Sequence, residues 1–399
     1  MQMKIKIIMK KTIFVLLFLL AAITLTAYSQ ENTKNDDDFA KGVYYVKKYQ
    51  RAEALSIFDA IIKEDPDYIN AYYERAKIHK YYKRDSLAVI DYTLLAEKSD
   101  SVELNIIAHS EILELLFKIE DKCSPLSEQH IAALNSLEDD SYKGNLYDGI
   151  CKLHGGEYQE AVNELTKAYN LKPEEKHTLF YRALAEIEIE NYITAIEDLS
   201  KVIEEDIKNG EAHFWRAYAY YEYAIQPAQK HEKKYLTLAL DDLDLAIKYK
   251  VREEAAYFDR AEVKFELGDY EGAISDFKKT LSKNPRNMDA RYQKGLCYYH
   301  YGNQYYAIKD LKYIIKKDTT YVDAYYDLSI IYYEKDQLGV ALSYANKTVD
   351  LDHEHADAYL IRGLINADRG NEDEACSDFK QADKLGDPEA HQLVKKHCQ

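Results

Sequence analysis

Three observations predict an all-α solenoid, a stack of antiparallel helix pairs. Alanine recurs at Ala161, Ala195, Ala239, Ala273, Ala307, Ala341 and Ala375, at intervals of 34 residues except for one of 44. A fixed period of this size marks a repeat architecture. Extended in both directions, the register defines ten repeats, beginning at Asn35, Ile69, Glu103, Tyr142, Lys176, Gly210, Glu254, Met288, Val322 and Ala356. The eighth residue of every repeat is glycine, alanine or serine, as from Gly42 and Ala76 through Ser329 and Gly363, which suits two helices that cross closely. Apolar residues at positions 4, 8 and 11, then at 20, 24 and 27, keep the three-and-four spacing of two amphipathic helices.

The elements follow in order. Lys4, Lys6, Lys10 and Lys11 precede an apolar run from Ile13 to Leu25, and Ala27-Tyr28-Ser29 offers small residues for cleavage, so residues 1–29 read as a secretory signal peptide. Thirteen apolar residues fall short of the ~20 that span a bilayer. No transmembrane span is expected after cleavage. A short acidic linker, 30–36, leads into a pair of repeats over 37–102. Residues 103–141 form a degenerate repeat with a longer central loop, Lys122 to Ser127, whose serine and proline suit a helix start. Seven regular repeats fill 142–389, and residues 390–399 form a capping helix whose lysines favour its C-terminal dipole. Glycines at position 15 (Gly156, Gly268, Gly302, Gly370) supply left-handed turns. Prolines at position 32 (Pro66, Pro173, Pro285) end second helices. Repeat 6 carries ten extra residues around Gln226 to Lys234, expected to project as a charged loop.

The stretch from Tyr257 through Gly268-Asp269-Tyr270, Ala273, Phe277 and Pro285 resembles the tetratricopeptide repeat, as does Gly149…Gly156-Glu157-Tyr158…Ala161…Pro173. The resemblance covers roughly residues 35 to 389. It implies a right-handed superhelix whose first helices line a concave groove, and a scaffold or adaptor that binds a protein or peptide partner there without catalysis. A chaperone-like holder of unfolded clients is the alternative in the same compartment. A carbohydrate-active enzyme on a helical scaffold is a more distant one.

Composition and motifs narrow the partners. The formal charge is −17, and −21 once the four signal-peptide lysines are removed. So acidic a chain disfavours nucleic acid and suits a neutral or basic partner in the periplasm or outside the cell. There is no phosphate loop, nucleophile elbow or paired zinc-type cysteines, and hence no predicted cofactor or catalytic residue. His353-Glu354-His355 falls at a turn between repeats and reads as a solvated polar turn. Of the five cysteines, Cys376 with Cys398 and Cys123 with Cys151 are candidate disulfides, and Cys297, among apolar neighbours, is the expected free thiol.

Two residue patterns recur with the repeat. Arginine at position 7 always accompanies aspartate at position 23: Arg75 with Asp91, Arg182 with Asp198, Arg216 with Asp242, Arg260 with Asp276, and Arg362 with Asp378. Both partners being local, these read as structural ion pairs between the two helices of a repeat. The second pattern is aromatic. The resemblance places positions 2, 5, 9 and 12 on the concave side. Position 5 is Phe180, Phe214, Phe258, Tyr292 and Tyr326, and position 12 is Tyr221, Phe265, Tyr299 and Tyr333. These rows serve either a bound peptide or packing between neighbouring repeats. Glu211, Asp289, Asp323 and Asp357 at position 2 give the groove an acidic lip that favours a basic or neutral segment.

Overall fold

The computed structural model describes residues 34–120, 123–138, 140–227 and 232–398. The predicted signal peptide lies outside them, as do residues 228–231 of the repeat-6 insertion. All regular structure among the described residues is helical. Repeat 1 consists of α1 (34–47) and α2 (Arg51–Glu64), and repeat 2 of α3 (Ile69–Tyr81) and α4 (Asp85–Lys98). Next come α5 (Val102–Glu120) and α6 (Pro125–Leu137), α7 (Tyr142–Gly155) and α8 (Tyr158–Leu171), then α9 (His177–Glu188) and α10 (Tyr192–Glu205). Repeats 6 and 7 are α11 (Gly210–Ile225) with α12 (Lys233–Lys248) and α13 (Glu253–Glu266) with α14 (Tyr270–Lys283). Repeats 8 to 10 are α15 (Met288–His300) with α16 (Gln304–Lys317), α17 (Val322–Glu334) with α18 (Leu338–Leu351), and α19 (Ala356–Asp368) with α20 (Glu372–Lys384). The last helix, α21 (Ala390–His397), packs on α20.

The chain divides into two compact halves between Ile189 and Glu190. That division falls inside repeat 5 and not at the degenerate repeat. Within each half, successive helices pack on one another as antiparallel pairs.

The periodic small residues sit where the helices cross. All nine position-20 alanines, from Ala54 to Ala375, are fully buried. At position 8, a Cβ on Gly363 would come within 2.6 Å of the Phe379 ring. In eight of the ten repeats the turn between the helices is left-handed at position 15, whether or not glycine is there. Gly156, Gly268, Gly302 and Gly370 have φ of 79° to 83°, and Tyr49, Lys83, Glu190 and Asp336 have φ of 63°, 56°, 60° and 55°. The antiparallel return of the chain imposes that conformation, and glycine merely adopts it at least cost.

Two expected boundaries shift. Residues 34–36, assigned to the linker, already belong to α1, whose first turn holds Asp36 and Asp37 where carboxylates favour the dipole. Among the described residues of the repeat-6 insertion, Lys233 and Lys234 are helical: α11 and α12 run 16 residues each, against 13 or 14 in repeats 7 to 10. The degenerate repeat has a first helix of 19 residues, and Ser124 caps the second, its Oγ accepting from the Ser127 amide at 3.3 Å. Cys123 at the head of that loop is bonded to Cys151 on α7, and Cys376 on α20 to Cys398 after α21. Cys297 is a buried free thiol whose pKa burial pushes up to about 12.

Candidate functional site

Four of the five position-7 arginines are fixed by three hydrogen bonds each. Arg75 donates from Nε and Nη2 to Asp91 at 2.9 and 2.6 Å, and from Nη1 to Asp59 at 2.8 Å. Arg216 forks onto Asp242 at 2.7 and 2.8 Å and reaches Ser200 at 3.0 Å. Arg260 forks onto Asp276 at 2.8 and 2.6 Å and contacts Asp244. Arg362 forks onto Asp378 at 3.0 and 2.7 Å and reaches Asn346 at 3.2 Å. Arg182 reaches Thr166 at 3.3 Å, and Asp198 is buried in the other half of the chain. The third partner always lies at position 25 of the preceding repeat. Arg75, Arg216, Arg260 and Arg362 therefore each tie one repeat together and to the one before it. Sequence comparison found the fork but not this second tie, because position 25 varies among aspartate, serine, threonine and asparagine. Any of these oxygens accepts an N–H.

The aromatic rows occupy one face of the first helices. In the second half α11 touches α13, α13 touches α15, and α17 touches α19, so these first helices form a row. Phe214 is buried and contributes to the core of repeat 6. Phe258, Tyr292, Tyr326, Tyr221, Phe265, Tyr299 and Tyr333 are half-buried against cores, with edges left accessible. Phe180 lies on α9, in the first half, and is likewise half-buried.

Packing between repeats uses many of these rings. Within repeat 7 Phe258 meets Phe277 edge to face at 5.5 Å, and toward the next repeat Tyr326 lies 4.8 Å from His355. The Tyr333 hydroxyl donates to Asp368 at 2.7 Å, and Tyr299 to Glu334. In both pairs a position-12 tyrosine meets a position-13 acid of the next repeat. Burial and that carboxylate push both phenols up to about 12. Between repeats 7 and 8 the same slots hold Phe265 and His300, whose rings lie 5.3 Å apart. This tyrosine–acid ladder is a second correlation between repeats, visible by the same intrachain comparison that exposes the arginine pairs.

Between the rings lie carboxylates. Asp259 and Glu262 on α13 face Glu222 on α11. Burial, then Glu222, raises the Asp259 pKa to about 7. Burial, then Asp259, Glu222, Glu266 and Asp289, raises Glu262 to about 8. Glu222 is itself raised by burial, against a hydrogen bond from Tyr218. Burial also raises Asp327 on α17 to about 6, although Tyr292 donates a hydrogen bond to it. A cleft of ≈ 510 Å³ opens beside Phe258 and Asp259, walled by Arg252, Glu253, Glu254 and Asp289 among others. Arg252 lies over the single tryptophan, Trp215, at 5.1 Å and holds Glu211 at 2.7 Å. Trp215, Tyr218, Asp259 and Glu262 were not singled out by the sequence pattern, since positions 6 and 9 vary from repeat to repeat. The chemical capacity of the face is to accept cations and hydrogen-bond donors beside accessible ring edges.

The sequence pattern of the tetratricopeptide repeat matches residues 258–311 and 326–390, where the helix pairs and their small-residue crossings are most regular. The chain is a tetratricopeptide-repeat protein. DnaJ homolog subfamily C member 3 of Gallus gallus is 25% identical over 273 residues, covering 66% of this chain and 46% of that protein. A TPR repeat-containing protein of Methanocaldococcus jannaschii is 23% identical over 297 residues, covering 69% of this chain and 49% of its own. The tetratricopeptide-repeat protein thus spans less than half the length of these relatives. A solved tetratricopeptide repeat protein from Parabacteroides merdae is 19% identical, covering 65% of this chain and 99% of that one at a TM-score of 0.48. Family membership assigns a scaffold fold of the kind that holds proteins, and names no partner.

Proposed function

We propose that this tetratricopeptide-repeat protein is an exported, non-catalytic adaptor that holds an extended basic segment of a partner protein along the first helices of repeats 6 to 9. One observation carries the choice of partner. Glu222, Asp259 and Glu262 share a half-buried face, every charged neighbour that perturbs them is acidic, and their pKa values are raised accordingly. A lysine or arginine side chain laid between them relieves that repulsion, and its alkyl stem packs against the half-buried rings. Export is supported by the basic and apolar N-terminal run and its small-residue cleavage signal.

The sign of the pH dependence follows. A carboxyl whose pKa is raised on folding adds stability at low pH and loses it as pH rises through the folded value. Across about pH 6 to 8 the free protein therefore strains to ionise Asp259 and Glu262, and a bound cation favours that ionisation. Binding of a labelled lysine-rich peptide should strengthen over this window and release protons, as calorimetry in two buffers of different ionisation enthalpy will measure. Asp259→Asn with Glu262→Gln should abolish that dependence and weaken capture about tenfold or more, while leaving thermal stability at pH 8 equal or higher. Pairing that is indifferent to both pH and these substitutions would move the partner off this face. Perturbed carboxylates also mark catalytic sites. Turnover of an envelope polysaccharide by the purified protein, lost in the same variant, would replace the adaptor with an enzyme. Suppression of aggregation across many unrelated clients would replace it with a holder of unfolded chains.

A further inference from the structure

The first two repeats carry a ridge of opposite character to the rest of the chain. Their turn tips, residues 47–51 and 80–84, contain six lysines and arginines and no acid. Four tyrosines stand out beside them: Tyr44, Tyr49, Tyr81 and Tyr82 are exposed by 55%, 80%, 60% and 41%. Cation–ring contacts make the ridge continuous. The Arg51 guanidinium lies 3.8 Å from the Tyr81 ring and 5.4 Å from Tyr49, Lys48 lies 5.6 Å from Tyr44, and Arg84 lies 5.3 Å from Tyr82. Tyr81 and Tyr82 are in edge contact at 5.3 Å.

Five of the six cations have no ion pair among the described residues. Lys80 is held by Glu111 and Glu114 at 2.7 Å, and the five are Lys47, Lys48, Arg51, Lys83 and Arg84. Most acids of the same helices lie at the opposite ends, Asp36 to Asp38 entering α1 and Asp65 and Asp67 between α2 and α3, while at the ridge end stand Glu53, exposed on α2, and Asp85, held by Lys118 at 2.7 Å. The two repeats are therefore polarised, basic at one edge and acidic at the other.

We infer that this ridge docks the protein on an anionic membrane surface. Turn tips protrude, so they have no walls to enclose an extended acidic peptide, and a flat charged plane meets all of them at once. Tyrosine suits that plane, because its ring settles at headgroup depth with the hydroxyl in water. The overall negative charge of the chain does not prevent docking. A surface potential acts within about 8 Å at physiological salt, so it reaches the ridge and not the acids at the opposite ends of α1 and α2. Those acids orient the molecule, ridge down and acidic edge away. This surface is separate from the face proposed for the basic segment, and neither depends on the other.

Sedimentation with vesicles tests the inference, using the chain from residue 30 onward, which keeps every described residue. Binding to phosphatidylcholine vesicles containing roughly a third phosphatidylglycerol should exceed binding to phosphatidylcholine alone and fall with added salt. Arg51→Gln with Arg84→Gln should weaken it roughly 25-fold, at about fivefold per cation, with an unchanged circular dichroism spectrum. Tyr49→Asn with Tyr81→Ser should weaken it as well, Asn being chosen for the left-handed Tyr49. Lys278→Gln with Lys279→Gln on α14 makes the same charge change away from the ridge and should leave binding intact. Equal binding to both vesicle types, or equal loss in the α14 control, overturns the inference. So does capture of polyglutamate with no vesicle binding, which would make the ridge a site for acidic protein.

Discussion

Repeats 9 and 10 are adjacent and superimposed in register, yet they fill the same helix crossing with different chemistry. In repeat 10 position 7 is Arg362, forked onto the buried Asp378 at position 23. In repeat 9 those positions hold Leu328, fully buried, and Tyr344, whose ring stacks on Tyr332 at 5.6 Å. Position 8 and its facing position 24 also trade volume: Gly363 lies under Phe379, whereas Ser329 faces Ala345. The crossing thus demands complementarity of shape and charge, and not a particular residue. Where charge is used it must come in pairs, and where a large ring is used its partner must be small.

The largest effect expected from breaking this comparison is at the ion pair. Arg362→Leu alone leaves Asp378 buried with only Asn366 at 3.3 Å as a donor, and should cost roughly 3 kcal/mol or more. Importing the whole of repeat 9's set, Arg362→Leu with Asn366→Tyr and Asp378→Tyr, replaces the pair by packed apolar groups and should recover all but about 1 kcal/mol. Amide exchange of α19 and α20 reads the difference locally, which matters because a solenoid need not unfold in one step. If the single and triple variants exchange at equal rates, the arginine is not answering the aspartate.

Next in size is the volume trade. Gly363→Ala places a methyl 2.6 Å from the Phe379 ring, and the ring is wholly buried, so overpacking should cost about 1–3 kcal/mol. Gly295→Ala in repeat 8, where the nearest atoms are 3.6 Å away, should be neutral or stabilise by up to about 1 kcal/mol. Thermal unfolding of the two variants side by side checks this. Equal shifts would mean that position 8 is small for some reason other than the facing side chain.

The difference between these repeats also explains what could be read from the sequence. Small residues at positions 8 and 20 and turn residues at position 15 recur because every repeat meets the same steric demand, so fold and register were legible. The Arg–Asp fork was legible because its two ends change together: Leu328 comes with Tyr344. The ring rows were legible as rows, but not as packing. Whether Phe214 is buried or Phe258 keeps an accessible edge depends on the bulk of neighbours one repeat away, which a position-by-position comparison does not weigh. The carboxylate cluster was harder still. Glu222, Asp259 and Glu262 occupy three different positions of two repeats, and only stacking of α11 on α13 brings them together.

The smallest effect tests the turn. Asp336 in repeat 9 and Gly370 in repeat 10 make the same left-handed corner, at φ 55° and 79°. Their hydrogen bonds correspond one for one. The Asp336 amide donates to Tyr333 and the Gln337 amide to Tyr332, both at 2.9 Å, as Gly370 does to Ala367 and Asn371 to Asn366 at the same distance. No bond is gained by glycine, so any difference is backbone strain alone. A non-glycine residue there costs roughly 1–2 kcal/mol, part of which glycine returns through its freer unfolded state. Asp336→Gly should therefore slow exchange of the α17 and α18 amides by about fivefold, near 1 kcal/mol, and Gly370→Asp should speed exchange of α19 and α20 by a similar factor. Opposite shifts of like size would establish that position 15 is set by the fold and only eased by glycine. A slower α17 with an unchanged α19 would mean instead that Asp336 disturbs its own repeat through its carboxylate.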